Sequence, residues 1–191
     1  KNLPKSLKEK LDNNFYIGVP KVEEFVSAKL PEHGCLGFDG RVVNAAWGEK
    51  LQKITEDKKG TLHVNEDLID LIWKDRPPLS GEPAFILEEK YSGKSTKEKI
   101  ADVRAKMAEE GANVHILTSL CDIAWLLNIR GGDITSVPVV LSYLVLTDSE
   151  CIWFLQEEIL DDRIREYLKE NKITTKAYDE IYEYVPEIPA D

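Results

Sequence analysis

Apolar residues in the first third of the chain recur at helical spacing and predict short helices. Leucines stand at every fourth position over residues 3–11, which favours a helix there. A second helix is predicted after Pro20, and its apolar residues form one inward stripe: Val22, Phe25, Val26 and Leu30. A third is predicted to begin at Asn44 and to end at Gly60, whose freedom to adopt positive φ suits a helix terminus. Another short helix is predicted over residues 67–73.

Short apolar runs between these helices predict strands over residues 15–17, 35–40 and 61–64. The strand over 35–40 is predicted to be buried and to end in a turn. Segment 74–83 then contains three prolines and a glycine among ten residues, which is typical of a stiff, extended connector. We therefore place a domain boundary here, with a first unit over residues 1–83 and a second unit over residues 84–191.

The second unit alternates amphipathic helices with apolar strands. A helix from Ser95 presents Ile100, Val103 and Met107 on one face, and a later helix contains Trp125. The other predicted elements are helices over 161–170 and 180–185 and strands over 113–117, 138–146, 151–155 and 173–176. The strands over 138–146 and 151–155 flank a polar tetrapeptide and predict a hairpin. This order predicts an α/β fold in which each unit has a mixed central sheet flanked by helices.

The charge balance narrows the classes of partner. Lysine and arginine number 25 against 35 aspartate and glutamate residues, so the net charge is −10. An acidic chain repels phosphate backbones and anionic lipid, and we therefore expect neither a nucleic acid nor a membrane partner. Apolar runs reach about ten residues, which is too short to span a bilayer. The first residues do not have the charged-then-apolar pattern of a secretory leader, so we do not expect secretion. These features predict a cytoplasmic protein.

The three cysteines are not arranged for metal binding or disulfide formation. Cys35, Cys121 and Cys151 are far apart, lie among apolar residues and lack CxxC spacing. We expect them to be buried, reduced thiols, as is common in cytosolic proteins.

The tetrapeptide over residues 93–96, Gly-Lys-Ser-Thr, resembles half of a phosphate-binding loop. The full motif needs a glycine five residues before Gly93, where this chain has Glu88. Glu89 follows, and two acidic side chains would repel a phosphate. Ser95 and Glu98 instead have the spacing of a capping box, so we interpret the segment as the start of a helix.

The spacing of the histidines and acidic residues along the sequence does not indicate a catalytic or metal-binding cluster. His33, His63 and His115 each stand without a second histidine or acid at a helical ligand spacing. Adjacent acids such as Glu109 and Glu110 are most simply solvent-facing, because acid–base pairs need an enclosed cleft to separate their pKa values. We assign no catalytic, cofactor-binding or metal-binding residue within this chain.

One polar loop remains a candidate contact site: Arg130, Gly131, Gly132 and Asp133. Its glycines permit positive φ and the close approach of another backbone, and Arg130 and Asp133 could pair across the turn. One interpretation is a helix terminus followed by a sharp turn, with Asp133 accepting hydrogen bonds from backbone amides. The other is an interface loop that contacts a neighbouring catalytic domain or subunit.

The order of motifs over residues 120–147 carries a family resemblance. A helix containing Trp125 leads directly into the Arg130–Asp133 loop and then into a strand introduced by Pro138. This stretch resembles the middle domain of Xaa-Pro aminopeptidases (aminopeptidase P), which belong to the pita-bread metallopeptidase superfamily. Further similar segments lie at 19–25, 36–42, 66–78, 91–104 and 178–182. The resemblance covers roughly residues 15–188 and implies two creatinase-like units, of which the first is incomplete.

The resemblance implies a function for a longer parent protein. Family members hydrolyse the peptide bond between an N-terminal residue and a following proline, using two divalent metal ions, usually manganese, in a C-terminal catalytic domain. This chain is expected to be non-catalytic and to hold no metal itself. Its expected partners are its own catalytic domain and a second subunit, with a peptide as the parent's substrate. Alternatives are a stand-alone binding or scaffold module of creatinase-like fold, or the corresponding region of a prolidase or creatinase.

Overall fold

The computed structural model describes residues 20–189, and its mixture of helices and strands confirms the predicted α/β class. The chain divides into two compact units, of which the first ends at Pro77 and the second begins at Pro78. The helix predicted over residues 3–11 and the strand predicted over 15–17 lie outside the described residues. Among the helices of residues 20–189, none combines the length and apolar character needed to cross a membrane.

The first unit pairs two short parallel strands and two helices. Its elements are α1 (Val22–Lys29), β1 (Cys35–Gly37), α2 (Ala45–Asp57) and β2 (Thr61–His63). Asn44 caps α2, because its side-chain oxygen accepts a hydrogen bond from the Trp47 amide at 3.0 Å. Strands β1 and β2 are parallel, with Leu36 opposite Leu62.

The described part of the first unit buries few side chains. Within residues 20–77, Leu51 and Thr55 are the buried ones. The inward stripe predicted for α1 is wrong at two positions, because Val22 and Phe25 are 51% and 55% exposed. Among the described elements, helix α1 packs against α2, and this contact leaves both side chains exposed. Cys35 is also exposed, so β1 is not the buried strand that the sequence predicted.

Gly60 does not end α2 in the predicted way. The left-handed conformation belongs to Lys59, with φ of 53°, and the glycine follows it. Gly60 is required for a close approach instead: a Cβ atom there would lie 2.3 Å from the Gly34 carbonyl oxygen. The same oxygen accepts a hydrogen bond from the Thr61 amide at 3.0 Å, which brings the starts of β1 and β2 together.

The helix predicted over residues 67–73 is a series of turns. The Asp67 carboxylate accepts hydrogen bonds from the Ile69 amide and the Arg76 guanidinium, and this side-chain bonding competes with helical backbone bonds. Asp70 also pairs with Arg76, at 2.7 Å. The turns leave Ile72 79% exposed and Trp73 46% exposed.

The second unit is built on a four-stranded mixed sheet. Its elements are β3 (Phe85–Ile86), α3 (Glu89–Ser92), α4 (Thr96–Glu109), β4 (Val114–Leu117), α5 (Leu120–Leu127), β5 (Ile129–Arg130), β6 (Ser142–Thr147), β7 (Cys151–Leu155), α6 (Asp162–Glu170), β8 (Thr174–Ala177) and α7 (Ile181–Tyr184). The sheet order is β4-β6-β7-β8, with two antiparallel pairings followed by a parallel one. The predicted hairpin is confirmed as β6 and β7, although β6 begins at Ser142. The small antiparallel pair of β3 and β5 was not predicted.

Both faces of this sheet are covered. One face carries the main core, in which Leu126, Leu144 and Trp153 are at most 1% exposed. The other face buries a smaller cluster that includes Val145 and Phe154. Alternate residues of β7 therefore enter different cores, which explains why this strand is an unbroken apolar run. On α4, Ile100 and Met107 are buried and Val103 packs against the core, which confirms the predicted stripe.

The three cysteines differ in environment, which corrects the prediction that all are buried. Cys151 is 2% exposed in the main core, whereas Cys35 and Cys121 are exposed. Burial raises the pKa of the Cys151 thiol to about 12, so its reactive thiolate is scarce at neutral pH.

Alkylation of the native chain is therefore expected to be selective. Iodoacetamide at pH 8 should modify Cys35 and Cys121 while leaving Cys151 unmodified, and mass spectrometry of tryptic peptides would read each site separately. Labelling in urea provides the control, because all three thiols should then react. Equal native labelling of Cys151 and Cys121 would contradict the buried position of β7.

Candidate functional site

The candidate site lies around the end of α5, where the helix stops and the Arg130–Asp133 loop begins. Asn128 ends the helix in the left-handed conformation, with φ of 52°. Three carbonyl oxygens of the last turn are then bound by side chains. Arg130 donates to Ala124, Lys99 to Trp125 and Tyr167 to Leu127. Two of the three donors are cations, which complements the negative end of the helix dipole.

Lys99 is a buried cation, with 2% of its surface exposed. Its Nζ donates to Asn128 Oδ1 at 2.6 Å and to the Trp125 carbonyl oxygen at 2.8 Å, and lies 4.9 Å from the centre of the Trp125 ring. No carboxylate of residues 20–189 forms an ion pair with it. Burial lowers the pKa of Lys99, and the positive charges of Arg130 and Lys94 lower it further.

Asn128 and the adjacent Leu127 connect the end of α5 to two other helices. Its Nδ2 donates to the Lys94 carbonyl oxygen at 2.9 Å, just before α4, while its Oδ1 accepts from Lys99. The Tyr167 hydroxyl of α6 lies 2.7 Å from the Thr96 hydroxyl at the start of α4. This polar network therefore joins α4, α5 and α6 beside an exposed tryptophan.

The sequence suggested that Arg130 and Asp133 could pair across the turn, but in the structure they do not pair with each other. The Arg130 guanidinium donates to the carbonyl oxygens of Ala124 and Ile129. The Asp133 carboxylate accepts from the Leu141 amide at 2.7 Å and from the Glu82 amide at 3.3 Å. Each side chain holds a different stretch of backbone, so the loop is fixed at both ends.

The two glycines of the loop serve close approach and not positive φ. Neither adopts φ in the left-handed region. Gly131 is buried, and a Cβ atom there would lie 2.7 Å from Val140 Cγ2 and 3.1 Å from the Val139 carbonyl oxygen. Gly132 is exposed, and its Cβ atom would lie 3.1 Å from Glu82 Cβ. The expectation of positive φ was therefore wrong, while the expectation of a tight backbone contact is confirmed at Gly131.

The Gly-Lys-Ser-Thr segment is a helix start. The Ser95 Oγ accepts from the Glu98 amide at 3.3 Å, and the Glu98 carboxylate accepts from the Ser95 amide at 3.1 Å, which confirms the predicted capping box. Gly93 adopts positive φ because it ends the short helix α3. The Lys94 ammonium pairs with Asp102, so its charge is already engaged.

The described residues do not provide a metal site. No three histidine, cysteine, aspartate or glutamate side chains converge within residues 20–189. His63 pairs with Glu66 at 3.1 Å, whereas His33 and His115 lie exposed in separate parts of the chain.

Sequence reasoning missed the buried pair of Lys99 and Asn128. A signal for Lys99 was present, because it stands three residues after Thr96 and next to Ile100, within the stripe that α4 buries. Asn128 had a weaker signal as the residue that follows an apolar helix, where asparagine often adopts the left-handed conformation.

Comparison with known proteins decides the family. Residues 75–191 match the family model described as the Creatinase/Prolidase N-terminal domain. The chain belongs to this family. It is also 35% identical over 189 residues to a probable Xaa-Pro aminopeptidase P of Coprinopsis cinerea, covering 95% of this chain and 30% of that protein. A probable Xaa-Pro aminopeptidase P of Neurospora crassa is 33% identical over 183 residues, or 91% of this chain and 27% of its own length.

A solved structure gives the same result for the fold. The X-prolyl aminopeptidase of Caenorhabditis elegans, described as a cytosolic enzyme with a di-nuclear active site, matches with a TM-score of 0.80 and 29% identity. The match covers 89% of this chain and 28% of that one. The predicted resemblance to aminopeptidase P is thus confirmed, and the chain is a creatinase-like N-terminal region of Xaa-Pro aminopeptidase homologues. It spans less than a third of the length of these relatives.

Proposed function

We propose that this chain is the non-catalytic N-terminal part of a cytoplasmic Xaa-Pro aminopeptidase. The observation that carries the proposal is its similarity, along nearly its whole length, to proteins named for this activity that are more than three times as long. The parent protein would remove an N-terminal residue that precedes proline, with two divalent metal ions, expected to be manganese, bound by residues outside this chain.

Residues 1–83 would form the latter part of the parent's first domain, and residues 84–191 its middle domain. The division of the chain into compact units near the proline-rich connector supports two domains. In the parent, both would contribute walls that restrict the substrate cleft to short, unstructured peptides.

The Arg130–Asp133 loop would contact the catalytic domain or a second subunit. Asp133 and Arg130 hold the loop to backbone on both sides, so it presents a defined surface at little entropic cost. The adjoining Trp125 is 48% exposed although its ring is held by Lys99. A rigid, exposed tryptophan is typical of the residues that dominate protein interfaces.

Catalysis is expected to require the parent protein. The chain incubated with Mn²⁺ and an Xaa-Pro peptide should release no N-terminal residue, whereas the full-length parent should release it in a metal-dependent manner. Release would be followed by chromatography of the free amino acid, with chelator as the control. Metal-dependent release by the chain alone would contradict the proposal, as would a full-length parent with no activity on such peptides.

The interface role of Trp125, which adjoins the loop, can be tested in the same assay. Trp125→Ala in the parent should lower kcat/KM or weaken assembly, with an expected cost of about 2 kcal/mol, the scale of an interface hot spot. Tyr91→Ala is the matched control, because Tyr91 is also an exposed aromatic residue on a helix of the second unit. Equal behaviour of both variants in kinetics and assembly would contradict the interface role.

A further inference from the structure

A cleft of about 450 Å³ lies within the second unit, and none of its lining residues belongs to the network around Asn128. It is formed by residues 97–104 of α4, the turn between β6 and β7 with the start of β7, and residues 170–172 at the end of α6. This volume lies within the range of small-molecule sites in proteins. Neither the proposed function nor the Arg130–Asp133 loop makes use of it.

The rim of the cleft is positively charged. Lys97, Arg104 and Lys172 line it, together with one acid, Glu170. None of the three cations forms an ion pair with another residue of the described chain. The whole chain has a net charge of −10, so this concentration of cations reverses the overall balance. Such a local reversal favours the binding of an anion.

Arg104 is held in place for a ligand. Its Nε donates to the Thr147 carbonyl oxygen at 2.8 Å, and a terminal nitrogen donates to the Glu150 carbonyl oxygen at 3.0 Å. A guanidinium has five N–H donors, so these two bonds orient the group and leave donors for a further acceptor. A planar, fixed guanidinium matches the geometry of a carboxylate.

The floor of the cleft is apolar. Ile100 and Cys151 are 5% and 2% exposed, and Ala101, which also lines the cleft, is exposed. The raised pKa of Cys151 keeps its thiol neutral at physiological pH, so the floor carries no charge there. An apolar group placed on this floor would be removed from water while an attached anion met the rim.

We propose that this cleft binds small organic carboxylates that carry a short apolar body. The carboxylate accepts hydrogen bonds from the free donors of Arg104 and lies within the field of Lys97 and Lys172. The apolar body covers Ile100 and Ala101. Both requirements apply together, so a charged ion without an apolar part and a neutral molecule with one should each bind less well. The site is independent of the proposed peptidase function.

A titration with 4-phenylbutyrate tests this site on the 191-residue chain. Amide NMR shifts should saturate around α4 and the β6–β7 turn, with a dissociation constant on the order of 1 mM for a ligand of this size. The neutral 4-phenylbutanamide and inorganic phosphate should each bind at least about tenfold more weakly. The amide lacks the charge-assisted contact, and phosphate lacks the phenyl group that would be buried. Equal binding of either control compound, or shifts that do not saturate, would overturn the proposal.

Charge variants locate the site. The double variant Lys97→Gln/Lys172→Gln should weaken 4-phenylbutyrate binding about tenfold, while Glu170→Gln should strengthen it. Lys169→Gln is the matched control, because Lys169 is also a lysine at the end of α6 but does not line the cleft. These side chains are exposed, so folding should be unaffected, which amide spectra of each variant would verify. Equal weakening by Lys169→Gln would overturn the site.

Discussion

Gly131→Ala is expected to lower the free energy of unfolding of the second unit by about 2 kcal/mol. The added Cβ atom would lie 2.7 Å from Val140 Cγ2 and 3.1 Å from the Val139 carbonyl oxygen, closer than atoms in a packed core tolerate. Val139 and Val140 are 3% and 4% exposed, so neither can move without disturbing the core. Overpacking of this kind costs about 1–3 kcal/mol. Hydrogen exchange of buried amides in β6 and β7 would measure the loss in this unit alone.

Gly132→Ala is the matched control, since it makes the same chemical change one residue later. Its Cβ atom would lie 3.1 Å from Glu82 Cβ, a wider approach than the 2.7 Å at Gly131, and Glu82 is exposed, not part of the core. Loss of glycine also lowers the entropy of the unfolded chain, so this variant should be within about 0.5 kcal/mol of the wild type. Equal destabilisation by the two variants would show that the close approach at Gly131 is not the cause.

Asn128→Ala is expected to lower the free energy of unfolding by about 3 kcal/mol, a larger effect than that of Gly131→Ala. The variant loses the bond to Lys94 and the bond to the Lys99 ammonium, which leaves a buried cation with one fewer acceptor. A hydrogen bond to a charged group contributes about 1.5–3 kcal/mol. Alanine must also adopt the left-handed conformation of Asn128, at a cost of about 1 kcal/mol. Hydrogen exchange and urea unfolding would both report the change.

Asn128→Gly separates the two causes. Glycine adopts positive φ without strain, but it cannot form either side-chain hydrogen bond. We therefore expect it to recover about 1 kcal/mol relative to alanine while remaining less stable than the wild type. A glycine variant as stable as the wild type would show that the hydrogen bonds of Asn128 contribute nothing to stability.

The first unit exposes several large apolar side chains within one short segment. Ile69, Ile72 and Trp73, which lie in one five-residue segment, are 50%, 79% and 46% exposed. Large exposed apolar surfaces usually mark contacts with other protein surfaces. This agrees with the proposal that the chain functions as part of a longer peptidase.

Local features of the fold were predictable from the sequence because neighbouring residues determine them. The Ser95–Glu98 capping box depends on residues three positions apart, and the hairpin of β6 and β7 depends on one polar turn between two apolar runs. The helix predicted over residues 67–73 failed for a related reason. Its apolar spacing was helical, but Asp67 bonds to nearby backbone and to Arg76, a competition that spacing alone does not reveal.

Features of the candidate site were less predictable because they join distant segments. Lys99 and Asn128 are 29 positions apart, and Arg104 lies 43 positions from the carbonyl group that orients it. The role of Gly131 depends on Val140, and the low reactivity expected of Cys151 depends on its place in the core. Each of these properties arises from packing between elements.

The sequence by itself determined the family, the α/β class and most helices and strands of the second unit, because ordered motifs and apolar periodicity are properties of the linear chain. The tertiary structure decided which residues of those elements are exposed, which charges are buried and where a cleft forms. It alone showed that Arg130 and Asp133 hold separate stretches of backbone, and that Lys97, Arg104 and Lys172 surround one cleft. Burial and charge proximity depend on three-dimensional distance, which the order of residues does not specify.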